Sequence, residues 1–276
     1  MSKPVAFITG ASRGIGAETA VCLAEAGFDL ALTARTLSEG ETHEYGSYES
    51  KAVALPGSLE QTAERARRFG AEVGLYRSDI LDPDSVKQAA QQAMADFGSI
   101  DFLFNNACYQ GPGNMQRLLD VEPEQAQKVF QGNVLTPMAL VQQFLPGMIA
   151  RGSGAIINMV SGSALNDPPA PADKGGWGFV YPASKAALIR MVPSLRVEHA
   201  DSGLRFFNVE PGFVHTEVMK ANGLDDEIAK RFKPTSPQTI AHLVRWLVCE
   251  EAALEHHHRT VLFGPQLAAK LGLASD

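Results

Sequence analysis

Tyr181 and Lys185 stand four residues apart, so on a helix their side chains share one face. A phenol with a pKa near 10 is a poor base at neutral pH, and bringing it to about 7 needs about 4 kcal/mol of preferential phenolate stabilisation. One ammonium at about 4 Å supplies roughly that at an effective dielectric of 20. The pair is therefore physically sufficient as a proton-transfer centre. Asn133 lies inside another helical pattern. Its amide competes for backbone groups there, and a local rule broken in this way points to a site.

A second chemical signal follows the first apolar run. Thr9-Gly10-Ala11-Ser12-Arg13-Gly14-Ile15-Gly16 leads into a helical pattern, with glycines spaced Gly-x-x-x-Gly-x-Gly. Such glycines allow a tight turn and close backbone approach, and the free N–H groups of the helix start then meet a pyrophosphate. The acid that would hold a ribose 2′-hydroxyl belongs at the end of the second strand, where the sequence has Ala34 followed by Arg35. Arg13 and Arg35 can bracket a 2′-phosphate, which points to NADP(H) as cofactor. Glu39 and Glu41 are the acids near enough to serve a 2′-hydroxyl instead.

The elements that must hold these residues alternate. Apolar β-rich runs at 5–8, 30–33, 73–76, 100–104, 155–160, 206–209 and 260–263 are separated by helical patterns at 15–26, 59–69, 85–97, 124–150, 183–199 and 237–248. Asp82-Pro83, Ser236-Pro237 and Glu122-Pro123 mark helix starts. The pattern predicts an α/β fold, a Rossmann-type doubly wound seven-stranded parallel sheet with helices on both faces, as one domain over residues 1–276. Stretches 36–57, 166–178 and 212–235 read as loops at the carboxyl ends of strands, and Pro193 should kink its helix or locally break its hydrogen bonding.

The 276 residues are 45% hydrophobic and 20% charged, which excludes a disordered chain. A net charge of −7 and no basic block longer than Arg67-Arg68 argue against a nucleic-acid or anionic-membrane partner. No apolar run approaches a membrane span. Met-Ser-Lys-Pro leads straight into an apolar run. The scattered Cys22, Cys108 and Cys249 read as free thiols, so a cytoplasmic setting is expected. His256-His257-His258 has no supporting ligands and reads as a solvated loop, with no metal site.

With Asp79 after the third strand, Asn105-Asn106-Ala107 after the fourth, Ser161 after the fifth, Tyr181-x-x-x-Lys185 and Pro211-Gly212, the chain resembles the compact single-domain branch of the short-chain dehydrogenase/reductase family. The resemblance covers nearly the whole chain, although Cys108 stands where the family has Gly. It implies hydride transfer between NADP(H) and an alcohol, ketone or aldehyde. Tyr181 would be proton donor, Ser161 would polarise the carbonyl, Lys185 would tune Tyr181 and bind the nicotinamide ribose, and Asn133 would hold a relay water. Asp79, Ile80, Asn106 and Ala107 would line the adenosine side, with Pro211, Gly212, Val214 and Thr216 near the carboxamide.

The apolar loops suggest a small-to-medium hydrophobic carbonyl or alcohol substrate. Trp177 and Phe179 are candidate contacts, and Met219, Leu224 and Phe232 would form an apolar lid. Cys108 would lie near the cofactor ribose, and Glu210 either faces the site or is salt-bridged at its rim. The family forms dimers or tetramers. A non-catalytic NADP-binding sensor or scaffold, and an epimerase or lyase on the same fold, remain open alternatives.

Overall fold

Val5–Thr9 (β1) is buried at all five positions, as a strand covered on both faces must be. The computed structural model describes residues 2–46, 49–221 and 234–275. The further strands are β2 (Asp29–Ala34), β3 (Thr42–Tyr45), β4 (Lys51–Ala54), β5 (Val73–Arg77), β6 (Phe102–Asn105), β7 (Ala155–Met159), β8 (Arg205–Glu210) and β9 (Leu262–Phe263). Seven of them form one sheet in the order β5-β2-β1-β6-β7-β8-β9, every pairing parallel. The Rossmann-type expectation is met.

The helices are α1 (Gly14–Glu25), α2 (Leu59–Arg67), α3 (Pro83–Phe97), α4 (Pro123–Phe130), α5 (Thr136–Arg151), α6 (Val180–Glu198), α7 (Glu217–Ala221), α8 (Pro237–Cys249) and α9 (Gly264–Leu271). Alternating strand residues divide the core between the two sheet faces. Ile8 packs with Leu23 of α1, Ala63 of α2 and Leu243 of α8. Phe7 packs with Ala89 of α3, Phe144 of α5 and Val192 of α6. The three expected helix starts are capped: Asp82 accepts from the N–H groups of Asp84 and Ser85, Ser236 from that of Thr239, and Glu122 forms a capping box with Gln125.

Three features depart from the sequence reading. Residues 36–57 are not plain loop, because β3 and β4 pair there as an antiparallel hairpin. The single helix expected over 124–150 is two helices joined by a π-helical turn, Gln131–Leu135, with Asn133 inside it. α9 follows β9, where no helix was expected.

α6 continues through Pro193 with its hydrogen bonding locally broken, as expected: the missing N–H frees the carbonyl of Ile189. Asn208 Nδ2 donates to that carbonyl at 2.8 Å and to Thr260 O at 2.9 Å. Asn208 ends a buried polar ladder. Asn105 donates to Asn158 at 2.9 Å, and Asn158 to Asn208 at 3.4 Å, across register-paired positions of β6, β7 and β8. The ladder fastens α6, the helix of Tyr181 and Lys185, to the sheet. Among the described residues no helix is long and apolar enough to cross a membrane.

Candidate active site

The glycine turn is built to stay open. Gly10 and Gly14 adopt φ of 67° and 55°, and a Cβ at Gly16 would run into the Gly10 carbonyl. Asn106 Nδ2 donates to Thr9 O at 2.9 Å, while Thr9 Oγ1 accepts from the N–H groups of Asn106 and Ala107, each at 3.0 Å. Asn106 thus braces the turn. Arg13, the residue before α1, is extended and no side chain caps the helix, so its first N–H groups point to the crevice. Ser12, Arg13, Gly14, Ile15, Ala34, Arg35, Asp79, Ile80, Asn106, Ala107, Cys108, Met159 and Thr216 all line that crevice. Uncapped helix donors beside a side-chain-free turn fit a dinucleotide pyrophosphate.

Three residues expected at the cofactor, Pro211, Gly212 and Val214, are not among those lining the crevice. Val214 is buried in the core, while Pro211 and Gly212 form the turn after β8 behind Thr216. Arg13 does not bracket a phosphate together with Arg35. Its guanidinium donates to Pro56 O, Tyr45 Oη, Thr36 Oγ1 and Gly57 O at 2.9–3.1 Å, because the 36–57 segment folds back onto it. Glu41 is taken by Arg77 at 2.7 and 2.8 Å, and Glu39 by Gln61. Between β2 and β4 the acid that lines the crevice is Glu44, on the hairpin, which sequence reasoning missed.

Tyr181, Lys185, Ser161 and Asn133 come together at the Cys108–Met159 end. Lys185 is 2% exposed, donates to Met159 O at 2.9 Å and lies 6.0 Å from the centroid of the Tyr181 ring. Ser161 and Cys108 both lie against the Tyr181 hydroxyl. Cys108 is therefore at the proton-transfer end of the crevice. The Tyr181 pKa is not lowered as its Lys neighbour suggested. Burial pushes it well up, Cys108 and the Glu210 carboxylate add to the rise, and Ser161 opposes it.

Glu210 faces this site. Its Oε1 accepts from Gly212 N–H at 2.9 Å, and Gly162 N–H bonds to it as well. Burial raises its pKa against those two donors. Ser161 Oγ also shares a hydrogen bond with Ser163 Oγ at 2.9 Å.

Both ends of the Asn133 amide are held. Its Oδ1 accepts from Tyr109 N–H at 2.9 Å, and its Nδ2 donates to Ser184 Oγ at 3.0 Å. Ser184 in turn donates to Tyr181 O at 2.7 Å. The π turn thereby ties the loop after β6 to the first turn of α6, a use of π-helical geometry common at sites.

Trp177 and Phe179 line a separate groove with Leu118, not the crevice. Leu224 and Phe232 of the expected lid lie outside the described residues, whereas Glu217 and Val218 line the crevice. His257 is no solvated loop residue. Its Nε2 accepts from Phe206 N–H at 3.1 Å and its ring stacks on Phe206. Among the described residues no group of three His, Cys, Asp or Glu side chains is placed to hold a metal ion.

The family profile described as short chain dehydrogenase matches residues 4–67 and 43–227. The chain belongs to the short-chain dehydrogenase family. Within that family it is 31% identical over 267 residues to the short chain dehydrogenase asqE of Emericella nidulans, covering 91% of this chain and 89% of that protein. It is 28% identical over 254 residues to the 3-oxoacyl-[acyl-carrier-protein] reductase FabG of Staphylococcus aureus, covering 90% and 91%. A metagenomic short-chain oxidoreductase solved in complex with NADP superposes with a TM-score of 0.71 at 26% identity, covering 95% of this chain and 97% of that one. Membership makes the chain an oxidoreductase of small molecules that uses a nicotinamide dinucleotide.

Proposed function

We propose that this short-chain dehydrogenase is NADP(H)-dependent and interconverts a secondary alcohol and a ketone, or a primary alcohol and an aldehyde, within a single domain. One observation carries the reading. Tyr181, with Ser161 against its hydroxyl and Lys185 one turn on, stands at the Cys108–Met159 end of the glycine-lined crevice.

When bound, the dinucleotide supplies or accepts the hydride. The chain does the rest. Gly10, Ser12, Gly14, Ile15 and Gly16 present backbone to the pyrophosphate. Asp79, Ile80 and Ala107 flank the adenosine side, and Thr216 takes the carboxamide from the Pro211–Gly212 turn that Val214 anchors. Lys185 holds the ribose hydroxyls. Ser161 polarises the carbonyl, Tyr181 delivers the proton, and Asn133 orders the relay behind Lys185. The neutral phenol carries the proton that carbonyl reduction takes up.

Arg35 supports NADP(H), as does the NADP held by the solved relative. Glu44 in the crevice favours NAD(H) as the second reading, through a ribose 2′-hydroxyl. The working protein is a homo-oligomer, a dimer or tetramer, and apolar Leu135 of the π turn, Met138 and Ile149 of α5 and Val197 of α6 stand exposed for such contacts.

A panel of hydrophobic ketones, aldehydes and alcohols, assayed with NADPH and NADH in parallel, tests the reading. Net oxidation of NADPH, at least about ten times faster than that of NADH, is expected. Equal or faster rates with NADH would favour the Glu44 reading. Substrate conversion without net cofactor change would indicate an epimerase or lyase.

A further inference from the structure

The β3–β4 hairpin carries a residue that no part of the catalytic reading uses. Tyr45 is 6% exposed and lines the crevice beside Arg35, Thr36 and Glu44, at the end flanked by Asp79 and Ile80. Its position is fixed from three directions. Arg13 Nη1 donates to its hydroxyl at 3.0 Å. The next residue, Gly46, donates its N–H to Gln110 O at 3.1 Å, which fastens the hairpin to the loop after β6. Below it, Arg77 pairs with Glu41 and donates to Arg35 O at 2.7 Å.

On this fixed ring lies the Arg35 guanidinium, its Cζ 4.8 Å from the ring centroid. Arg35 uses one N–H on Glu44 O, at 3.3 Å. A guanidinium held against an aromatic face keeps its N–H groups directed outward in one plane, the geometry that meets a phosphate bidentately. Without the ring, the same long side chain would have to be ordered by the ligand itself.

We infer that Tyr45 determines cofactor choice: its ring holds Arg35 ready for the 2′-phosphomonoester of an adenosine nucleotide, and Arg13 acts by fixing Tyr45. The inference rests on the NADP(H) reading above and adds to it the hairpin residue on which that preference depends. Lysine at position 35 would keep the charge but lose the planar contact.

The test is the dissociation constant of NADPH and of NADH, read by nicotinamide fluorescence, for the full-length wild type and the variants Tyr45→Phe, Tyr45→Leu and Arg35→Lys. Tyr45→Phe keeps the ring but loses the hydroxyl that Arg13 holds, and should weaken NADPH by no more than about 3-fold. Tyr45→Leu should weaken NADPH about 10-fold and NADH less than about 2-fold. Arg35→Lys leaves the hairpin intact and should give the same selective loss, which serves if Tyr45→Leu fails to fold. A wild-type preference for NADPH that survives Tyr45→Leu and Arg35→Lys, or losses equal for both nucleotides, would overturn the role of Tyr45 alone. Wild-type protein that binds NADH as tightly as NADPH would remove the cofactor reading and this role with it.

Discussion

Polar atoms with no water to turn to decide much of this molecule at the residue scale. Pro193 frees the Ile189 carbonyl inside α6, and Asn208 answers it while also serving Thr260. Leucine at 208 would match the volume but supply no donor to either carbonyl, and would leave Asn158 without its acceptor. Asn208→Leu should therefore lower unfolding stability by about 2–4 kcal/mol, measured by urea denaturation with an unchanged slope. Loss below about 0.5 kcal/mol would mean that the proline gap is tolerated without it. Tyr181 obeys the same accounting. Its surroundings favour the neutral phenol, and the groups pressing on it are Cys108 and Glu210, not Lys185, whose ammonium bonds to Met159 O.

At the scale of elements, the strands were legible because a parallel sheet buries both faces, so β1, β2, β6, β7 and β8 read as short continuous apolar runs. Helix starts were legible where a cap precedes a proline, at Asp82, Glu122 and Ser236. The hairpin was hidden for the opposite reason. Thr42-His43-Glu44-Tyr45 is mostly polar, and its order comes from contacts made by Arg13, Arg77 and Gln110, all distant in sequence. A mid-helix asparagine signalled trouble at 133, but periodicity alone does not specify a π turn. The site's residue types were likewise readable while their partners were not. Arg13 looked like a phosphate ligand until the loop returned to it, and the closeness of Cys108 to the Tyr181 hydroxyl shows only in the fold.

At the scale of the whole molecule, His257 takes the β8 N–H of Phe206, a position that the short edge strand β9 does not reach. This imidazole accepts from Phe206 N–H, and burial, with help from Arg196 and Arg205, depresses its pKa from 6.5 to about 4. The folded state therefore binds fewer protons than the unfolded one between those values. The contribution is complete above pH 6.5 and is lost as pH falls toward about 4. The full shift corresponds to about 3 kcal/mol, and partial exposure brings it nearer 1–2 kcal/mol. Thermal unfolding of wild type should fall across that window, while His257→Gln, which keeps an acceptor that does not titrate, should fall less. Parallel curves would show that His257 does not govern the acid response.

Sheet, crevice and hairpin all serve one placement, that of the Tyr181 hydroxyl beside Ser161 at the end of the glycine-lined crevice. The most direct measurement is steady-state turnover of Tyr181→Phe together with its NADPH dissociation constant. Turnover should drop about 100- to 10,000-fold while cofactor affinity stays within about 2-fold of wild type. A variant that keeps most of its turnover would contradict the assignment of the proton to this hydroxyl.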